Sequence, residues 1–232
     1  MKPYQQIAIA ECNEALVPIP LEIFAVESPH PYQLLGATYA EMSPYYLRQG
    51  VLDSLIKAQV YLQLKRIGWR IQIFDAYRPV AVQQFMVDYT FFQVAEAQKL
   101  DIPNLSPTEI QDIWQQVYQI WAVPSLDPLT PPPHSTGAAI DITLVDGVGK
   151  VINMGSPIDE LSPRSHPDYF ANSNLPEHQQ YHRDRQLLRE VMEYAGFARH
   201  PDEWWHFCQG DQMWAWLSST PIEARYGRVK IY

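Results

Sequence analysis

A carboxylate inside an apolar strand is the feature that most limits how this chain can fold. Residues 138–146 read A-A-I-D-I-T-L-V-D. In a strand, side chains alternate between two faces, so Ile140, Ile142 and Leu144 share one side while Ala139, Asp141 and Thr143 share the other. The apolar side belongs in a core. Asp141 must then project toward a polar site, because a charge within a strand is costly unless it is paired or bound to a metal.

Two short stretches offer it partners. His134 lies seven residues upstream in P-H-S-T-G, and D-E-W-W-H-F (202–207) supplies His206 with Glu203 three positions before it. Two imidazoles and a carboxylate are good ligands for Zn²⁺, and three protein ligands leave a fourth position for water, as catalytic sites do. Glu203 is close enough to His206 to reach such a water. Trp204 and Trp205 form a wall that excludes solvent and raises a neighbouring carboxylate's pKa, which suits a group that takes a proton and returns it. The plain alternatives are a satisfied histidine in a Pro-rich loop and a core strand with an incidental Glu and His. Taken together, the four residues point to a metal-dependent hydrolase.

Arg78 ends a strand in D-A-Y-R-P (75–79). It reads either as an ion-pair partner of Asp75, as a surface residue, or as a fixed guanidinium for a carbonyl oxygen that becomes an oxyanion. His178 and His182 have helical i,i+4 spacing, but Gln179 stands where a zincin would carry Glu, so this pair reads as a solvated helix face. There is no G-x-S-x-G elbow, P-loop or G-x-G-x-x-G.

The net charge of −9, with no Lys/Arg run, excludes nucleic acid and anionic membranes as partners. No stretch is long and apolar enough to span a bilayer, and the N-terminus lacks the pattern of a signal peptide, so the expected location is cytoplasmic. Cys12 and Cys208 are too few for a disulfide framework and read as two free, buried thiols. With 47% hydrophobic residues the chain can bury a full core, and its 20 prolines predict a loop-rich fold.

Periodicity predicts an α+β fold, a small, mainly antiparallel sheet with packed helices, in a single domain over 1–232. Residues 1–48 read as an extended N-terminal wrap with short strands. Helices are predicted over 50–67, with Leu52, Leu55, Ala58, Leu62 and Ile67 inward, and over 79–99. Ser106, Pro107 and Glu109 mark the start of another, running to Ala122. Residues 123–133 form a stiff proline connector that delivers His134. Strands are expected at 69–75, 138–146 and 204–209. A turn at Asp146-Gly147 leads to a hairpin strand through Ile152. Residues 156–175 read as loop, and 176–195 as a helix ending at Gly196. The tail from about 210 is aromatic and shows no clear pattern.

D-A-Y-R-P, H-S-T-G-A-A-I-D-I-T-L, M-G-S-P-I-D and G-F followed by D-E-W-W-H-F, in that order, resemble the zinc D-alanyl-D-alanine dipeptidases of the VanX type, relatives of the D,D-carboxypeptidases and Hedgehog-like peptidases. The resemblance covers roughly residues 50–207, the catalytic core. It implies one zinc on His134, Asp141 and His206, Glu203 as base and then acid, and Arg78 as oxyanion partner. It further implies that Asp159 receives the ammonium of a small dipeptide and that Ser135 takes part in substrate binding. The chain departs from the family where Pro132 and Pro133 replace two hydroxyl donors before His134, and at Ile158 where an aromatic is usual. Two other readings stand beside this one. One is a D,D-carboxypeptidase or L,D-type wall peptidase, which would need an open groove. The other is a non-catalytic zinc module, against which Glu203 and Arg78 both argue.

Overall fold

The computed structural model describes residues 2–40, 42–218 and 223–229. Strands β1 (Leu16–Pro18), β2 (Ala25–Val26) and β3 (Tyr46–Arg48) and the short helix α1 (Pro31–Leu34) make up the N-terminal part. Then follow α2 (Gln49–Lys65), β4 (Arg70–Asp75), α3 (Val80–Ala97), α4 (Pro107–Ile120), β5 (Ala139–Val145), α5 (Pro176–Tyr194), β6 (Ala198–Arg199), β7 (His206–Cys208) and α6 (Gln212–Leu217). The five-stranded sheet has the order β2-β4-β5-β7-β6, and β1 pairs with β3 in a separate ribbon. Within the large sheet only β2 and β4 run parallel. The α+β architecture with a mainly antiparallel sheet is the one expected.

The sheet divides the interior. Ile140, Ile142 and Leu144 of β5 and Ile71 and Ile73 of β4 pack against Leu55 and Leu62 of α2 and Leu188 and Val191 of α5. This is the buried side required by the strand alternation. A second core joins α3 to α4 through Val82, Met86, Val87, Ile113 and Val117, closed by Tyr32 and Trp121. Ala139 faces the other way, toward Tyr4, Cys208 and Met213.

Local chemistry explains the helix limits. Ser106 accepts from the Glu109 N–H at 3.3 Å while the Glu109 carboxylate accepts from the Ser106 N–H at 2.8 Å, so the capping box opens α4. Helix α2 ends at Lys65, before Gly68, whose φ of +80° turns the chain into β4. Ile67 therefore lies past the helix and is 92% exposed, not inward as the periodicity suggested.

The hairpin after β5 forms only in part. The Asp146 carboxylate fixes the turn by accepting from the N–H groups of Val148 and Lys150, but a single bridge, Val145 to Val151, follows. The physical reason is competition for edges. β4 occupies one side of β5, while β7 and the Trp205 carbonyl occupy the other through Ile142. The chain then bends toward α5, where Arg185 takes the Met154 carbonyl at 2.7 Å.

Two surface expectations need correction. Cys12 is exposed, and only Cys208 is a buried free thiol. His178 and His182 are half-buried: His178 meets Ser173 at 2.9 Å and packs on Phe170, because α5 lies against the 156–175 segment.

Candidate active site

Strand register assembles the polar cluster. Across the sheet, Asp75 on β4 stands opposite Asp141 on β5, and Asp141 stands opposite His206 on β7. Residues separated by more than sixty positions thus become a row on one face. His134 enters from the turn at Pro133–Thr136. Gly137 closes that turn at φ +69°, and an added Cβ there would come within 2.5 Å of Leu16.

The donor atoms converge. His134 Nε2 lies 3.2 Å from His206 Nδ1 and 3.2 Å from Asp141 Oδ2, while His206 Nδ1 is 3.0 Å from Asp141 Oδ1. All three residues are buried, and one ligand atom from each lies within 4.8 Å of the others. The set fits a cation on the chemistry of its surroundings. His134 Nδ1 faces the Ala76 carbonyl at 2.8 Å, an acceptor only, so it carries the proton and leaves Nε2 as a lone pair. Burial holds His206 below the usual imidazole range despite Asp141, which favours the neutral ligand form. Burial alone would raise Asp141, but the two histidines outweigh it and hold the carboxyl well below its ordinary value. Two imidazole nitrogens and a carboxylate turned on one another without solvent form a site that a divalent cation satisfies.

Other groups surround this centre. Glu203 is 6% exposed, its Oε2 is 3.9 Å from His206 Nδ1, and burial followed by the Asp141 charge pushes its carboxyl well up. Arg78 donates from Nε to Asp75 at 2.8 Å, from Nη1 to Gln83 at 2.9 Å, and from Nη2 to Tyr32 and Asp141, each at 3.1 Å. Of the five N–H donors of a guanidinium, one on Nη1 is left for a ligand. Tyr32 in turn donates to Asp159 Oδ2 at 2.7 Å. Asp159 sits at φ +62°, and burial and the Asp141 charge push its carboxyl up to about 7. Asp75 is fully buried. Its desolvation is outweighed by Arg78, His30 and His134, which hold it below the usual range.

His134, Asp141, His206, Glu203, Arg78 and Asp159 all line one pocket. Ser135 does not. Its hydroxyl donates to the Pro132 carbonyl at 2.7 Å and the residue borders a separate opening beside Arg228, so the turn that aims His134 inward aims Ser135 away. Several residues in or behind the pocket carried no signal in the sequence. His30 and Tyr39 hold Asp75, Tyr32 links Arg78 to Asp159, and His200 stacks edge-on to His206. Lys2 and Tyr4 close the pocket from the N-terminus. Isolated residues without a motif give no sign of a shared site. The space between the residues lining the pocket, counted with the solvent at its opening, is about 430 Å³.

Three buried candidate metal ligands, an adjacent carboxylate and a guanidinium share one small pocket, an arrangement that fits a metal-dependent peptidase. A family model described as D-ala-D-ala dipeptidase, among the M15 peptidases, matches residues 26–226, and the chain belongs to this family. It is 53% identical to the D-alanyl-D-alanine dipeptidase of Synechocystis sp. over 99% of this chain and 98% of that protein. It is 29% identical to the D-alanyl-D-alanine dipeptidase of Escherichia coli over 75% of this chain and 72% of that protein. The enzyme of the same name from Enterococcus faecium is 30% identical over 69% of this chain and 71% of its own length.

Proposed function

We propose that this chain is one peptidase domain that uses a single zinc ion to hydrolyse D-Ala-D-Ala into two D-alanines in the cytoplasm. The observation that carries the reading is the convergence of His134, Asp141, His206, Glu203 and Asp159 on a pocket sized for a small substrate. The near full-length similarity to a D-alanyl-D-alanine dipeptidase supports the choice of dipeptide. Both cysteines being free accords with a reducing compartment. Among the described residues no helix is long and apolar enough to cross a membrane.

His134, Asp141 and His206 would hold the ion, which supplies Lewis-acid chemistry: it acidifies a water and polarises a carbonyl. The chain's own residues do the rest. Asp159, held by Tyr32, receives the substrate ammonium and fixes the N-terminal end. The free Nη1 donor of Arg78 meets the carbonyl oxygen as it gains negative charge. Glu203 takes the proton of the attacking water and delivers it to the leaving amine. Trp121, Pro133 and Met213 line the pocket beside these groups and narrow the access of bulk water to them.

The test is metal content and turnover in three proteins. Wild type should hold about one zinc per chain, cleave D-Ala-D-Ala but not L-Ala-L-Ala, and stop on chelation. His206→Ala should lose the zinc. Glu203→Gln should keep it and lose about 10²–10⁴ of kcat. Equal zinc in wild type and His206→Ala, or full turnover by Glu203→Gln, contradicts the assignment.

A further inference from the structure

A zwitterionic dipeptide brings one cation and one anion into the pocket, and the reading above gives only the cation a partner. The pocket is rich in carboxylates: Asp141, Asp159 and Glu203 all line it. An anion entering there needs a compensating positive group. Arg78 and Lys2 are the two Lys or Arg residues among those lining the pocket. Arg78 is committed to Asp75, Asp141, Tyr32 and Gln83, with one Nη1 donor left for the carbonyl. The turn carrying His134 offers no side-chain donor, since Pro133 presents a ring and the Ser135 hydroxyl is turned to Pro132.

Lys2 lines the pocket and forms no ion pair among the described residues. Its backbone is well fixed. The Lys2 N–H donates to the Gln5 side chain at 2.9 Å, and the Lys2 carbonyl accepts from the Gln5 N–H at 3.1 Å, which closes the turn Pro3–Gln6. Tyr4 anchors that turn in the apolar cluster with Cys208 and Met213, and Gln212 of α6 donates to the Ile7 carbonyl at 2.7 Å. The turn therefore holds the Lys2 side chain over the mouth, where Lys2, Ile120 and Glu203 border both the inner pocket and an outer groove.

Position along the substrate agrees. Asp159 lies at the Tyr32–Arg78 end, and the outer groove does not reach it. A dipeptide with its ammonium there and its carbonyl at the metal centre presents its leaving amine to Glu203 and its carboxylate beyond Glu203. Lys2 stands at that end.

The geometry points to Lys2 as the specificity-determining residue that receives the terminal carboxylate of the dipeptide, so that the N-terminal turn forms one wall of the substrate site. The inference rests on the dipeptidase reading. Its test is steady-state kinetics of zinc-loaded wild type, Lys2→Met and Lys2→Arg on D-Ala-D-Ala and on D-alanyl-D-alaninamide, whose neutral end needs no cation. Lys2→Met should raise KM for the free acid about ten- to a hundred-fold, the range of one charge-assisted hydrogen bond. Its kcat on the acid should stay within about three-fold and its kinetics on the amide should match wild type. Lys2→Arg should restore most of the preference for the acid. A Lys2→Met protein with the wild-type ratio of kcat/KM for acid over amide overturns the assignment. So does a loss equal on both substrates, which would mean that Lys2 only shapes the turn. In either case wild-type cleavage of D-Ala-D-Ala leaves the dipeptidase reading standing. Wild type inert toward D-Ala-D-Ala overturns that reading and this one with it.

Discussion

Arg78 is bound into the protein more tightly than an oxyanion donor requires. Its guanidinium neutralises Asp75 and Asp141, both almost fully buried, and lies 5.0 Å from the ring centres of Tyr32 and Trp121. Removing it leaves a buried carboxylate without its partner, a change that typically costs about 3–5 kcal/mol. Losing an oxyanion donor costs on the order of 10²–10³ in kcat. Arg78→Ala should therefore lower kcat in that range and also lower the urea midpoint, with Arg78→Lys recovering charge but not the forked geometry. A pure KM effect with an unchanged midpoint would remove Arg78 from both roles. At this scale the sequence was informative where residues fall in compact motifs. Asp141 stood out as a charge in an apolar strand, and His206 and Glu203 as neighbours of two tryptophans. Asp75 was visible as a candidate partner of Arg78 three positions away. His30, Tyr32 and Gln83, which complete the same network, belong to no motif and become neighbours only when the chain folds.

Among the elements, α6 has a start that titrates. Asp211 is its N-cap and accepts from the Trp214 N–H at 2.8 Å, yet its second oxygen is buried with no hydrogen-bond partner among the described residues. Burial pushes the carboxyl up to about 6, against an ordinary aspartate value of about 3.9. The folded protein thus keeps a proton that the unfolded chain releases. The stability this contributes is complete below about pH 4 and is lost as pH rises through about 6, a difference of up to about 3 kcal/mol. Asp211→Asn keeps the acceptor and removes the charge. It should be more stable than the parent at pH 7.5 by about 1–3 kcal/mol, and the gap should close toward pH 4.5 in urea unfolding. A variant less stable than the parent at pH 7.5 would show that the ionised cap is satisfied. Elements defined by local chemistry were legible, as α4 is by Ser106 and Glu109. Those decided by competition were not: the hairpin strand at 151–152 is cut to a single bridge because β7 and the Trp205 carbonyl hold the edge of β5 as far as Ile142.

The whole molecule depends on contacts that cross its full length. Residues 2–6 close a pocket whose floor lies at 134–141 and 203–206, and α6 fastens them there. The reading of 1–48 as a wrap gave no sign that residues 2–6 lie over the site, because a Lys and a Tyr near a chain end carry no periodicity to interpret. The main core and the candidate ligand Asp141, by contrast, follow from one alternating strand whose two faces separate apolar from polar residues. The account's central claim is that this pocket recognises a free dipeptide from its charged ends, with Asp159 taking the ammonium. Acetylating the N-terminus removes that partner and strands a carboxylate in a desolvated position, a penalty of roughly 1–3 kcal/mol or more. The most direct measurement is kcat/KM of the zinc-loaded protein on D-Ala-D-Ala and on N-acetyl-D-Ala-D-Ala, alongside Asp159→Ala. Free dipeptide should be cleaved at least about ten-fold better than its acetylated form, with the gap narrowing in the variant through lost activity on the free dipeptide. Equal cleavage of the two by wild type would contradict the account and favour a carboxypeptidase.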